Sequence, residues 1–552
     1  MRSTMQDVPL TIGSILRHGT TNYASSDVVT ATETGSRRST FAEVGQRATR
    51  LAGALRRLGI DGDQRVATFS WNNQEHLESY LAVPSMGAVL HTLNVRLSPE
   101  QITYIVTHAD DRLVIVDACL VEPLAQLLPE LTTVQTILVT GGGDPGPLQG
   151  RGKQVLDYEE ALAAEAPEFG WPDVEETSAA AMCYTSGTTG NPKGVVYSHR
   201  SAWLHSLAAC SGNAFGLRFD DRILPIVPMF HANAWGLPYA AMMSGAALIL
   251  PDRFLAPEAL VRLFESEQPT VSGAVPTIWN DLLEYLRQHE EHDITSLRLI
   301  LCGGSAVPRA LIEIFQERFG IEIVQAWGMT ETSPVASTAR APVGVSGDAA
   351  WEYRASAGRF VCGVEGRLVD DGGSVLPTDG EAVGELQVRG PWVTGAYYRD
   401  EDPTKFDSGW LRTGDVGTID PLGFITLTDR AKDVIKSGGE WISSVELEVT
   451  LAEHPDVLEA AVVGVPDERW QERPLATVVL RDGADITPEA LRLWLSHRVV
   501  RWWLPERWAF IPAVPRTSVG KFDKKVLRGQ YGDGLLTVVT LEPLAQQPAD
   551  VP

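Results

Sequence analysis

Between Arg222 and Ala326 five short apolar runs recur: Ile223–Val227, Ala246–Leu250, Thr270–Ala274, Leu297–Cys302 and Glu322–Ala326, each separated from the next by an amphipathic stretch. Few folds satisfy that alternation. Strands alternating with helices of this length imply right-handed crossovers and a mainly parallel sheet covered on both faces. Ligands then gather at the carboxyl ends of the strands. Upstream, Phe41–Leu58 has helical spacing of apolar residues, Arg65–Phe69 and Leu113–Val116 are predicted strands, and Gly141–Lys153 is a glycine-rich surface loop. The longest apolar run, Trp235–Leu250, contains Pro238 and is broken by Ser244-Gly245. It falls short of the ~20 residues that cross a bilayer and is predicted as buried helix, turn and strand.

The pattern changes after Asp429, with strands predicted at Val457–Val465 and Leu475–Leu480 and a helix at Pro488–His497. A chain of 552 residues exceeds what one core supports. The expected class is therefore α/β: a large N-terminal domain, residues 1–428, of mainly parallel sheets flanked by helices, and a smaller C-terminal α+β domain, residues 429–552. No internal repeat is visible, and the stretch from Gly532 onward, rich in Pro, Ala and Gln, is expected to be a loose tail.

A formal charge of -25 argues against a nucleic-acid partner and gives no help at anionic lipid surfaces, so membrane contact is at most peripheral. Anionic ligands must meet local basic pockets. Cys119, Cys183, Cys210, Cys302 and Cys362 are scattered without paired spacing, so neither a disulfide framework nor a zinc site is indicated. A reducing cytoplasm fits, and no apolar core of signal-peptide length follows the N-terminus.

One segment packs hydroxyls, glycines and a lysine into a single turn: Tyr184-Thr185-Ser186-Gly187-Thr188-Thr189-Gly190-Asn191-Pro192-Lys193-Gly194. Its glycines let backbone N–H groups approach oxyanions, the hydroxyls of Thr185, Ser186, Thr188 and Thr189 add donors, and Lys193 adds a point charge. The common P-loop is excluded. Counting from Gly187, Pro192 stands where that motif needs its second glycine and Gly194 where it needs Ser or Thr.

The string resembles the phosphate loop of the adenylate-forming superfamily: acyl-CoA synthetases, the adenylation domains of peptide synthetases and firefly-type luciferases. Further motifs of that superfamily occur in order. Gln325-Ala326-Trp327-Gly328-Met329-Thr330-Glu331 implies a nucleotide-binding stretch in which Trp327 stacks on adenine, Thr330 reaches the α-phosphate and Glu331, with Thr185, holds Mg²⁺. Tyr is more usual at the position of Trp327, so stacking is expected to survive while any phenol hydrogen bond is lost. Trp410-Leu411-Arg412-Thr413-Gly414-Asp415 resembles the ribose-binding motif, with Asp415 accepting the sugar hydroxyls. The stretch from Asp429 to Trp441 resembles the hinge and the strand after it: Asp429 as hinge residue, Arg430 near ribose and phosphate, and Gly438 and Gly439 lining the route of CoA. Lys436, Glu440, Trp441 and Arg473 join them as expected CoA contacts. Pro515-Arg516-Thr517-Ser518-Val519-Gly520-Lys521 resembles the terminal lysine motif, so Lys521, with Thr330 and Glu331, is expected to be catalytic. A carboxylate attacking a phosphate brings two anions together, and a cation there acts by electrostatic stabilisation. Lys193 and Lys521 lie far apart in the chain, so closure of a mobile C-terminal domain must assemble the site.

For the acid, Pro228-Met229-Phe230-His231-Ala232-Asn233-Ala234-Trp235 is informative. Amino-acid-activating relatives place an Asp directly after the Phe to pair with the substrate ammonium. Here His231 stands there, so the acid is expected to lack an α-amine. This wording, with Gly303-Gly304-Ser305, resembles medium- and long-chain fatty acyl-CoA synthetases. His231, Trp235, Gly303, Gly304 and Ser305 are the expected acyl pocket, with the two glycines leaving room for a chain and Trp235 either closing an apolar tunnel or packing in the core. Trp470-Gln471-Glu472-Arg473-Pro474 and the lack of a carrier domain after Lys521 favour free CoA as acceptor. The resemblance therefore implies an ATP- and Mg²⁺-dependent fatty acid:CoA ligase that forms acyl-AMP and pyrophosphate, then acyl-CoA and AMP. Relatives often pair as homodimers through the large domain. The alternatives are a CoA ligase for aryl or short thioether-containing acids, and a catalytically silent acyl-AMP or fatty-acid binding protein, against which intact Glu331, Asp415 and Lys521 argue.

Overall fold

The five runs form strands in parallel register. In the computed structural model, which describes residues 1, 3–185, 191–370, 372–400, 402–430, 433, 435–437, 440–467, 469–517 and 521–542, they occupy Arg222–Pro225, Ala247–Leu250, Val271–Ala274, Leu299–Gly303 and Glu322–Gly328. All neighbouring pairs among them run parallel. The first ends at Pro225, earlier than the sequence implied, because a proline cannot donate to the ladder. One edge of this nine-stranded sheet is completed by the N-terminal hairpin Asp27–Thr32 and Gly35–Thr40, the other by Val335–Thr338 and Arg359–Phe360.

A second sheet of seven strands carries Arg65–Phe69 and Asp111–Asp117 at its centre. It is parallel except for its last strand, Gly194–Ser198, which returns antiparallel to Ala179–Tyr184. Helices cover these sheets for readable reasons. The helix Phe41–Arg57 opens with a capping box between Thr40 and Glu43 and buries Val44, Ala48, Leu51 and Leu55 on one stripe. The Trp235–Leu250 run does contain a helix, Leu237–Ser244, a turn at Gly245 and the strand Ala247–Leu250. Gly245 has φ of +80°, and a side chain there would run into the Tyr23 ring.

One buried side chain stitches the two sheets together. Asn72 donates to the Pro225 carbonyl (2.8 Å) and the Val227 carbonyl (3.0 Å), and accepts from the Met229 N–H (2.7 Å). The Tyr80 hydroxyl donates to the Met229 carbonyl. Both clamp the loop that ends in His231.

A third, antiparallel sheet, built from Glu365–Val369, Gly384–Arg389, Phe406–Asp407, Trp410–Ile419 and Ile425–Arg430, was not legible in the sequence. Beyond it, six strands from Ile435–Ser437 to Val539–Thr540 form a sheet of mixed direction, packed with the helices Ser444–Ala452, Pro488–Ser496 and Lys524–Gly532. That unit has its own apolar core around Leu447, Val462, Ala476, Leu491 and Trp508, which makes it α+β. The expected loose tail is corrected in part: Val539–Thr540 pairs with Arg507 and Trp508 as an edge strand. Among the described residues no helix is long and apolar enough to cross a membrane.

Candidate active site

A cavity of about 770 Å³ opens at the carboxyl ends of Leu299–Gly303 and Glu322–Gly328, and its wall includes Thr185, Lys193, His231, Trp327, Glu331 and Lys521. At the base of the phosphate hairpin the Thr185 N–H donates to the Lys193 carbonyl (2.9 Å), and the Lys193 N–H donates to Thr185 Oγ1 (3.1 Å). Ser186, Gly187, Thr188, Thr189 and Gly190 lie outside the described residues. The Lys193 ammonium sits 3.0 Å from both Asp400 Oδ2 and Asp402 Oδ2 and 4.8 Å from the centre of the Tyr397 ring. Burial pushes its pKa down, but the hydrogen bonds to the two carboxylates outweigh this and hold it above the ordinary lysine value.

Across the cavity, Gly328 has no room for a side chain because the Pro334 carbonyl packs against it. The tight turn that results brings Thr330 and Glu331 onto the wall. Glu331 Oε1 accepts from the Tyr397 hydroxyl (2.6 Å), whose pKa is raised by burial and by the Glu331 charge, so the phenol remains a donor. The Trp327 indole Nε1–H donates to Asp415 Oδ2 (2.8 Å). Asp415 is 5% exposed and stands directly behind Gly414, which lines the cavity. Ala326 and Met329 also reach the wall.

Two sequence expectations in this region need correction. Gln325 is tied behind the wall, its carbonyl oxygen accepting from the Val307 N–H and its amide donating to the Ser356 carbonyl. It braces the strand and does not face the cavity. Ser305 is exposed and is not part of the wall.

His231 lines the cavity, where burial, then the charges of Lys521 and Arg96, push its imidazole down to about 3. It is neutral at any working pH. The next four residues, Ala232 to Trp235, have φ between +42° and +57°, a left-handed turn without glycine that delivers Trp235 to the wall at 7% exposure. Gly303 and Gly304 border the cavity for backbone reasons. A side chain at Gly303 would press on the Ala326 carbonyl, and Gly304 has φ of +88°. A methyl at Gly304 would lie 3.6 Å from Lys521 Cε, so the small unit's lysine stands over that turn.

Gly438 and Gly439, and the side chains of Arg430, Lys436, Glu440 and Trp441, lie outside the described residues. Arg473 is corrected. It is 3% exposed, donates to the Trp502 carbonyl (2.9 Å) and the Leu504 carbonyl (3.2 Å), and packs on the Trp502 ring, so it braces the small unit and offers nothing to a CoA phosphate. Sequence reasoning missed Tyr397, Asp400 and Asp402. The signal was the short run of tyrosines and charges after Gly395, which carries no motif of its own.

Glu331 and Thr185 supply hard oxygen donors, and among the described residues no cluster of three or more His, Cys, Asp or Glu offers a full metal cage. That donor set fits Mg²⁺, which takes few protein ligands and keeps waters and phosphate oxygens. Among the described residues the wall carries three lysines and two arginines against three carboxylates, so the cavity is a local cationic site for a polyanion in an acidic chain.

Residues 19–398 match the family described as AMP-binding enzyme, and residues 446–521 match the AMP-binding enzyme C-terminal domain. The chain is 46% identical over 537 residues to a long-chain-fatty-acid–CoA ligase of Thermus thermophilus, covering 96% of this chain and 97% of that one. It is 41% identical over 540 residues to a 3-methylmercaptopropionyl-CoA ligase of Ruegeria pomeroyi, covering 97% and 100%. Among solved structures it is similar to the anthranilate CoA ligase AuaEII in complex with anthranoyl-AMP, with a TM-score of 0.86 at 26% identity over 96% of this chain and 100% of that one.

Proposed function

The chain belongs to the AMP-binding enzyme family, and on that premise we propose that the acid it activates is a medium- or long-chain fatty acid. It is an ATP-dependent, AMP-forming acyl-CoA synthetase that uses Mg²⁺ and CoA. The observation that carries the acid class is the neutral, half-buried His231 on the cavity wall, where an amine-bearing substrate needs an anion. Apolar neighbours on the same wall, Ala232, Trp235 and Val335, and the likeness to a fatty-acid ligase support the same reading.

In this reading Trp327 meets the adenine, Asp415 takes the ribose hydroxyls, and Thr330 reaches the α-phosphate. Glu331 and Thr185 hold Mg²⁺, which when bound neutralises phosphate charge and orients the oxygens. Lys521 lies over the Gly304 turn and stabilises the negative charge that builds as the carboxylate meets the α-phosphate. Lys193 exchanges its two carboxylate partners for the departing phosphates. Residues 429–552 turn about Asp429 after the first step, so that CoA enters past Gly438 and Gly439 with Lys436, Glu440 and Trp441 beside it. A cytoplasmic enzyme, paired through its large domain and touching membranes only peripherally, is the setting that fits.

A second reading, a short thioether acid, draws on the 41% identity to the 3-methylmercaptopropionyl-CoA ligase. The deciding experiment is CoA- and ATP-dependent AMP formation across straight-chain, branched, aromatic and thioether acids. We expect kcat/KM to peak at one fatty-acid length and Lys521→Ala to lower it about 10²- to 10³-fold, the scale of one lost electrostatic contact in an active site. A peak on short thioether or aromatic acids would move the substrate and keep the chemistry. Turnover absent in both proteins would make this a binding protein.

A further inference from the structure

We propose that Trp327 is a positioning residue for ribose recognition: its indole N–H fixes the Asp415 carboxylate, so one side chain links the reading of the base to the reading of the sugar. The contact is direct, Nε1–H to Oδ2 at 2.8 Å, and its acceptor is 5% exposed. A hydrogen bond to a nearly buried carboxylate is among the stronger kinds. Local geometry supports it from both sides. The strand carrying Trp327 shifts register between Trp327 and Gly328, and the strand carrying Asp415 shifts between Val416 and Gly417. Each strand thus leaves regular register within two residues of the donor or the acceptor. The Asp415 N–H is itself held by Thr413 Oγ1 (3.0 Å), which fixes the backbone under the carboxylate.

A tyrosine at position 327 presents an aromatic face as well, but its single donor stands at the far tip of the ring. It cannot place an N–H where the five-membered ring of the indole does. The interaction therefore belongs to this chain's choice of Trp. The carboxylate is oriented before the nucleotide arrives, which lowers the ordering required on binding. The same residue lines the cavity wall.

The inference rests on AMP-forming chemistry and is independent of which acid is activated, so its test uses nucleotides alone. Binding of AMP, 2′-deoxy-AMP and 3′-deoxy-AMP is measured by calorimetry for the wild type, Trp327→Phe, Trp327→Tyr and Asp415→Asn. We expect Trp327→Phe and Trp327→Tyr to weaken AMP about tenfold while weakening the deoxy forms much less, so that discrimination for ribose shrinks at least threefold. Asp415→Asn should produce the same collapse, and Trp327→Phe added to it should remove little more discrimination. Trp327→Tyr, with an intact thermal melt, keeps the test alive where Trp327→Phe does not fold. Equal weakening of all three nucleotides, or none, would overturn the role and leave Trp327 a stacking surface. A wild type that binds no AMP would overturn the adenylate chemistry itself.

Discussion

Asp117 shows how far a single residue's surroundings reach toward the site. It ends the strand Asp111–Asp117 at 4% exposure and accepts from the Trp71 N–H (2.7 Å), the Asn73 amide (2.9 Å) and the Thr140 hydroxyl (3.1 Å). Between Trp71 and Asn73 lies Asn72, the clamp on the His231 loop. Burial dominates those hydrogen bonds and pushes the Asp117 carboxyl up to about 7. Its unfolded value is about 3.9, so between about pH 4 and pH 7 the folded state binds more protons than the unfolded one, and stability falls as pH rises through that window. The full loss is on the order of 4 kcal/mol by the same linkage. Asp117→Asn should flatten this decline, so that melting temperatures at pH 5 and pH 8 differ less in the variant than in the wild type. At this scale Lys193, Trp327, Glu331 and Lys521 were legible, because each sits in an ordered motif. Arg473 was misread because its charge is visible in the sequence, whereas the carbonyls of Trp502 and Leu504 that consume it are assembled only by folding. The carboxylates of Asp400 and Asp402 beside Lys193 were missed for the same reason.

Among the elements, parallel strands and their covering helices were readable from apolar runs and caps, and most bounds moved by only a residue or two. The antiparallel sheet between Glu365 and Arg430 was not, since its strands mix buried and half-buried positions without clean alternation and are held by cross-strand pairs that only register creates. Nor does any pattern announce the left-handed turn from Ala232 to Trp235. Asn tolerates this region, and Asn233 Oδ1 is held by the Cys183 thiol at 2.9 Å, but alanine and tryptophan do not favour it. Each such residue costs about 1–2 kcal/mol, a strain of the kind that gathers at functional sites. Ala234, fully buried with φ of +48°, tests this. Ala234→Gly relieves the backbone but removes a methyl worth about 0.8 kcal/mol. The variant should be as stable as the wild type or more so in denaturant titration, whereas Ala48→Gly, in the right-handed helix Phe41–Arg57, should lose more than about 1 kcal/mol. A comparable loss in both would mean the turn is unstrained.

For the molecule as a whole, the division into a large α/β part and a small α+β part was legible from the change of pattern after Asp429, but the contact between them was not. Lys521 is the small part's contribution to a cavity whose other walls, among the described residues, come from residues before 415. Holding it there are contacts such as the ion pair between Arg481 and Glu284, 3.2 Å apart and partly exposed on both sides. Arg516 and Asp281 add an attraction across the same boundary. Exposed pairs contribute about 0.2–1 kcal/mol, enough to bias two arrangements of the parts but too little to decide folding. If this closed arrangement serves acyl-AMP formation and a turn about Asp429 serves thioester formation, Arg481→Ala should act on the two steps unequally. We expect pyrophosphate release to slow by up to about fivefold, the range of one such pair. Acyl-CoA formation from preformed acyl-AMP and CoA should be unchanged or faster, with the melting temperature unaltered. At about 1 M salt, where charges are screened beyond about 3 Å, the wild type should approach the variant. Rapid-quench measurement of each step checks this, and equal slowing of both would mean that one arrangement carries the whole reaction.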